Sequence, residues 1–155
     1  MTFETIYQAY WNKIYRLCMG FVNDHELARD LTQETFLTVW QKLSAFRNES
    51  AISTWIFRIA SNHCLRQMEN HKRAPRTNLP DELEDRSEPS NDHRIRLLYK
   101  CISELGEMDR IIISLELEDI RQAEIAEITG ISESHVRVKI HRIREKLTKK
   151  FKQYE

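Results

Sequence analysis

Glycine and proline are scarce, with three of each in 155 residues. So few breakers leave room for long helices along most of the chain. The runs that alternate apolar with polar residues, such as Ile113–Glu118 and Val136–His141, lie inside stretches of helical spacing, which speaks against half-buried strands. No apolar run approaches the ~20 residues that span a bilayer. The start, "MTFETIYQAYWNKIYR", has no basic segment followed by an apolar one, so it does not read as a signal peptide, and the chain reads as cytoplasmic. Cysteine is limited to Cys18, Cys64 and Cys101, an odd number with no CxxC pair, and none of the six histidines forms a metal-ligand pattern with them. Each lies in an apolar helical stretch, so buried reduced thiols are expected rather than a metal centre or a disulfide framework. A glycine-rich phosphate loop, a nucleophile elbow and a His-Glu metal helix are also missing. Asp30 and Glu34 stand at i, i+4, but such a pair on an exposed helix is ordinarily just solvated. The chain therefore does not read as an enzyme and calls for no cofactor.

Net charge is lacking too, since 24 Lys and Arg offset 24 Asp and Glu. With 41% apolar and 31% charged residues the chain is of the soluble globular class, long enough for one ordinary domain or two small ones. The balance hides an uneven distribution. Residues 137–152 carry eight basic side chains against one acid, Glu145. Charge segregated in this way concerns partners rather than fold. All three prolines (Pro75, Pro80, Pro89) fall in the acidic, aliphatic-poor stretch "RAPRTNLPDELEDRSEPSNDH". That stretch cannot bury enough surface to fold alone, and it is too long for a packed helix–helix turn. The organisation expected is an N-terminal helical domain over 1–72, a linker over 73–93 and a C-terminal helical domain over 94–155.

Apolar spacing places helices at 3–22, 25–45 and from residue 53 onward. Gly20 with "VND" is expected to end the first, Asp24 to cap the second and Ser53 to cap the third. In the second, Phe36, Val39, Trp40 and Leu43 share a stripe. In the third, Trp55, Ile56, Ile59, Ala60 and Leu65 line up, with Trp55 read as a core residue. Beyond the linker, helices are expected at 92–104, 107–117, 121–129 and 132–152, punctuated by Gly106 and Gly130.

The last two of these read as helix, glycine turn, helix. At 100° per residue, Val136, Ile140, Ile143 and Leu147 fall on one core-facing arc. Ser134, Val138, His141 and Arg142 point the opposite way, flanked by Arg137, Lys139 and Arg144. Ser132 is a natural N-cap, and Ile131 can staple onto Val136. An apolar inner face with a basic outer one is what a helix needs to enter the DNA major groove with its first turns on base edges. Arginine can pair bidentately with guanine, and flanking lysines suit phosphates. The residues by themselves leave three readings. One is a two-domain DNA-binding protein, another a repressor or activator that uses only the C-terminal half, and the third a helical adaptor with an exposed apolar stripe.

The succession "DLTQETFLTVWQKLSAF", "STWIFRIASNHCLR", proline-rich linker and "EIAEITGISESHVRVKIHRIREKL" resembles bacterial RNA polymerase sigma factors of the extracytoplasmic-function type. The likeness runs over nearly the whole chain. It implies an all-α fold of two small domains, the second with a helix-turn-helix. The function implied is binding core RNA polymerase and directing promoter-specific transcription initiation at −35 and −10 elements. By this resemblance Asp30, Gln33, Glu34, Leu37 and Gln41, with Thr38 nearby, match the face that docks on a coiled coil of the polymerase largest subunit. Phe46 and Asn62 match a pocket for an unpaired −10 base, with Ser61 and Arg58 beside it. Arg47, Arg66, Lys72 and Arg73 match phosphate contacts there. Arg137, Val138, His141 and Arg142 match readers of the −35 duplex, with Ser132, Lys139 and Arg144 on its phosphates. Partners implied are the core polymerase, promoter DNA both duplex and single-stranded, and an anti-sigma factor clamping both domains. The chain departs from the family pattern in three places. Leu105-Gly106 replaces Leu-Pro. Arg121 stands where a Ser or Thr caps the first helix of the motif, so that cap is lost or moved to Asp119. Val138 replaces a smaller residue.

Overall fold

The computed structural model describes residues 2–73 and 92–154, with backbone only for 70–73. Among these residues there are seven α-helices, one short 3-10 turn and no strand. The linker expected at 73–93 falls almost wholly on 74–91, outside the described residues. Its two ends are helical, since one helix runs through Arg73 and the next begins at His93.

α1 (Phe3–Val22) starts at Thr2, whose hydroxyl accepts from the Thr5 amide. It ends at Asn23, which takes the left-handed conformation at φ 48° and returns its N–H to the Met19 carbonyl. Asparagine tolerates this conformation better than most residues. The stop is therefore Asn23 and not Gly20, which lies inside the helix. Asp24 caps α2 (His25–Lys42) as expected, accepting from the Leu27 amide at 3.1 Å. Two linking residues make α1 and α2 an antiparallel pair. α2 stops at Lys42, three residues short of the expectation, because Leu43–Ala45 tightens into a 3-10 turn. Its buried side carries Ala28, Leu31, Thr32, Thr35, Phe36 and Val39. Thr32 and Thr35 reach that side by donating their hydroxyls to the Ala28 and Leu31 carbonyls one turn back. Trp40, placed by its spacing on the same stripe, instead stands 63% exposed.

α3 (Ile52–Arg73) begins one residue before Ser53. The Ala51 carbonyl accepts from the Trp55 amide, so Ser53 lies in the first turn rather than capping it. α4 (His93–Ser103), capped by Asp92, and α5 (Glu107–Leu117) match the expected spans closely. α6 (Gln122–Thr129) has Arg121 at its N-cap with no side-chain bond, and Asp119 is left-handed at φ 60°, so the cap is lost rather than moved. Gly130, at φ 77°, closes α6 by donating to the Ala126 carbonyl, and α7 (Glu133–Tyr154) follows.

The first three helices and the last four do not stand apart. α1 packs on α2 and α3 in its own half and on α4 and α5 of the other, while α3 packs on α6. The buried side chains of both halves join in one cluster. All three cysteines are buried and reduced. The Cys18 and Cys64 sulfurs lie 3.9 Å apart, and the hydrogen bond to Cys18 together with burial pushes the Cys64 thiol well up. Thiols held protonated in this way are poor nucleophiles.

Candidate functional site

α7 is placed by its apolar arc. Val136, Ile140, Ile143 and Leu147 are all buried, against α4, α5 and α6. Ser132 accepts from the His135 amide at 3.3 Å, so it is the N-cap its position suggested. Ser134, Arg137, Val138, His141 and Arg142 are exposed, with Val138 at 45%. His141 meets Glu145 one turn on at 3.1 Å, a pair too exposed to hold much. Two of the flanking cations are engaged. Lys139 Nζ lies 3.1 Å from Asp109 Oδ1, and Arg144 Nη2 lies 2.9 Å from Glu116 Oε1, both acids belonging to α5. The outer face is thus Arg137 and Arg142 around Val138, with cations tethered along one edge.

On α2, Asp30, Gln33, Glu34, Leu37 and Gln41 are all exposed, so the structure brings the expected polar face together. Thr38 is partly buried and bonds His63 of α3 at 3.0 Å. Sequence reasoning missed the continuation of this face. Leu37 (55% exposed) and Trp40 join Gln33, Phe36 and the α1 residues Phe3, Tyr7 and Trp11 around a shallow cleft of about 310 Å³. The rings pack in series, Tyr7 on Trp11 and edge-on to Phe36, each at 5.1 Å between centroids. Large rings next to water were the available signal. In α2 the helical spacing of Phe36 and Trp40 imitates that of a core stripe.

The third expected group divides. Phe46, half-buried, packs on Trp55 at 4.8 Å between ring centroids. At 100° per residue Trp55, Asn62 and Arg66 share one arc of α3, and both Asn62 and Arg66 are exposed. Trp55 with Phe46 packed on it, the Asn62 amide and the Arg66 guanidinium are group types that can stack on a flat polar base, hydrogen-bond it and meet a phosphate. Trp55 is half-buried and packs against the core from this side of the helix. Ser61 and Arg58 lie around the helix from it. Ser61 is 4% exposed and its Oγ has no partner within the chain, while Arg58 donates from Nη2 to the Glu127 carbonyl of α6 at 3.0 Å. Arg47 is exposed on the loop. The side chains of Lys72 and Arg73 lie outside the described residues. No group of three or more His, Cys, Asp or Glu among the described residues is placed to hold a metal ion, and no described helix is long and apolar enough to cross a membrane.

Residues 6–74 match the family described as Sigma-70 region 2, and residues 95–147 match Sigma-70, region 4. Among curated proteins, the chain is 29% identical over 153 residues to the ECF RNA polymerase sigma factor SigM of Bacillus subtilis, covering 95% of this chain and 93% of that protein. It is also 29% identical to the ECF RNA polymerase sigma-E factor of Haemophilus influenzae, over 96% of this chain and 86% of that one. Among solved structures, the fold is similar to the sigma factor RpoE in complex with the anti-sigma factor NepR from Bartonella quintana. The TM-score is 0.81 at 19% identity, covering 97% and 96% of the two chains. It is likewise similar to CnrH in complex with the cytosolic domain of CnrY, with a TM-score of 0.72 at 20% identity over 99% and 89%.

Proposed function

Because the chain belongs to the extracytoplasmic-function group of bacterial RNA polymerase sigma factors, we propose that its two halves divide promoter recognition between them. Residues 1–72 grip the polymerase and the −10 element, and residues 94–155 take the −35 element across the 73–93 linker. The α2 face of Asp30, Gln33, Glu34, Leu37 and Gln41 docks on the coiled coil of the polymerase largest subunit. α7 then enters the major groove, with Arg142 and Arg137 on base edges and Val138 against a thymine methyl. Ser132, Lys139 and Arg144 lie toward phosphates. Phe46, backed by Trp55, and Asn62 receive one base turned out of the duplex, while Arg66 neutralises the strand. Unstacking a base costs a few kcal/mol and is offset by stacking and hydrogen bonds in the new pocket. The energy of opening comes from binding, so the chain has no reaction of its own to catalyse.

The observation that carries this reading is the α7 cross-section, in which four apolar residues are buried while Arg137, Val138, His141 and Arg142 are presented to solvent. A cytoplasmic setting follows from where a polymerase works. A sigma factor of similar fold, RpoE, is seen with the anti-sigma factor NepR, and a partner of that class is proposed here too. The test is run-off transcription with core polymerase on genomic fragments, with start sites sequenced. Starts that cluster behind shared −35 and −10 sequences support the reading. Tight sequence-specific duplex binding by the free protein, with no transcription from core polymerase, would instead mark a repressor or activator. In the holoenzyme, Asn62→Ala is expected to weaken permanganate reactivity at −10 more than it weakens duplex binding.

A further inference from the structure

Cys18 of α1 and Cys64 of α3 meet inside the N-terminal half, with sulfurs 3.9 Å apart and both residues fully buried. Neither belongs to the faces assigned above to polymerase or DNA. Gly20 lies about 160° around α1 from Cys18 and abuts Ser114 of α5 with no room for a side chain, so this turn of α1 is held from both sides. Cys64 lies about 160° around α3 from both Asn62 and Arg66, so its sulfur stands behind the exposed face those two present. His63, its neighbour in sequence, turns to α2 instead, where it bonds Thr38. Among the described residues no third His, Cys, Asp or Glu joins the pair.

Two thiols so placed can be joined by a bond or by an ion. A disulfide needs its sulfurs about 2.05 Å apart, a closure of about 1.9 Å from the 3.9 Å observed. Two metal–sulfur bonds of about 2.3 Å set in line span about 4.6 Å, an opening of only about 0.7 Å. The chemistry falls the same way. Disulfide formation starts from a thiolate, and the bond to Cys18 together with burial holds the Cys64 thiol protonated. A soft cation instead displaces the protons as it binds. Thiolates select soft ions, and two ligands with no third exclude zinc, which takes four. Charge then chooses among the ions that accept two sulfurs in line. A monovalent ion on two thiolates leaves a net negative charge in the core, costly to bury unpaired, and no cation is among the influences on Cys64. A divalent ion leaves no charge.

We propose that Cys18 and Cys64 form a two-coordinate site for a soft divalent cation of the mercuric type, which staples α1 to α3. The ion and two thiols give a neutral dithiolate and two protons, which pass to solvent. Both sulfurs are covered, so the ion enters as the two helices part locally. Because the staple lies behind Asn62 and Arg66, it stiffens the N-terminal half and leaves their face open. The site stands whatever that face binds.

The test titrates the full chain with mercuric acetate in buffer free of thiol and chloride, using Cys101→Ala so that only the pair remains. The expected result is saturation at one equivalent, two protons released per ion and a new sulfur-to-metal absorption band. A link across 46 residues of sequence is also expected to raise the unfolding temperature by about 10 °C. Cys18→Ala/Cys101→Ala is expected to release one proton per ion and to gain no stability. Silver nitrate, the monovalent comparison, is expected to raise the unfolding temperature less. Should Cys101→Ala fail to fold, the wild type is expected to give the same first equivalent, with the third thiol adding one proton at a second. One proton per ion in Cys101→Ala, or an unchanged unfolding temperature at saturation, overturns the site. An equal rise with silver overturns the choice of a divalent ion. Free thiols are then counted in denaturant with a chromogenic disulfide reagent, after dimercaptosuccinate has removed the metal. Recovery of both supports the ion, whereas their loss marks a disulfide and overturns it.

Discussion

Arg142 and Lys139 lie three residues apart on one helix and differ in what they already hold. Arg142 is exposed and at liberty to meet a base edge, whereas the Lys139 ammonium sits on Asp109. Arg142→Ala is therefore expected to reduce discrimination between promoter and scrambled duplex by about 1–3 kcal/mol. Lys139→Ala should weaken both duplexes alike and slightly. Titration of the two duplexes at one salt concentration separates these outcomes, and equal losses for Arg142→Ala would remove its reading role. His63 makes a residue-scale prediction about pH. The Thr38 hydroxyl donates to the Glu34 carbonyl, which leaves its oxygen to accept from His63 Nε2–H. Burial lowers the His63 pKa, the charge of Arg66 lowers it further, and Glu34 opposes both. The folded state thus favours the neutral ring, while the unfolded chain takes up a proton at about pH 6.5. The stabilisation is complete above that pH and is lost as pH falls toward the depressed folded value. Between about pH 7.5 and about pH 5.5, roughly one unit either side of that value, thermal unfolding of the wild type should drop further than that of His63→Gln. Parallel drops would discount the ring.

At the scale of the element, α7 and α2 show why one helix was legible and the other only partly. α7 has a single buried side, filled by branched apolar residues at regular spacing, so Val136, Ile140, Ile143 and Leu147 announce their own arc. α2 conceals its buried side behind Ala28, Thr32 and Thr35, whose hydroxyls bond backward into the helix, and it carries Leu37 and Trp40 in water. Hydrophobic spacing alone then turns the helix partly the wrong way. The polar residues Asp30, Gln33, Glu34 and Gln41 were still placed outward, because charge and amide groups rarely bury without partners. The same inversion yields a prediction. Trp40→Ala removes a ring that is mostly solvated, so folding stability should change by about 0.5 kcal/mol or less. If the aromatic cleft belongs to the polymerase contact, binding to core enzyme should weaken by about 2 kcal/mol or more, as for a buried anchor. Thermal unfolding and a polymerase titration on the same variant decide it, and comparable losses in both would return Trp40 to the fold.

For the molecule as a whole, the all-α class, the helix-turn-helix and most helix boundaries could be read from spacing and capping residues. The joining of the halves could not. Arg16 and Glu118 are 102 residues apart, and no local period marks two side chains that meet only when separate bundles dock. Gly20 shows the difficulty in one residue, since a glycine near a helix end looks like a stop until the neighbour that excludes its side chain is seen. The docking of α5 beneath α7 has its own result at this scale. Asp109 and Glu116 occupy Lys139 and Arg144 before any DNA arrives. Each phosphate a free cation neutralises releases bound counterions and steepens the fall of affinity with added salt by about 0.9 in logarithmic slope. Cations that must first leave a carboxylate add less. Asp109→Asn/Glu116→Gln is accordingly expected to steepen the slope for duplex binding by up to about two phosphates' worth, and an unchanged slope would mean that both pairs break on contact. With the pairs intact, this chain's hold on duplex DNA is buffered against swings in ionic strength, and Asp109 and Glu116 act as an internal reservoir of counterions.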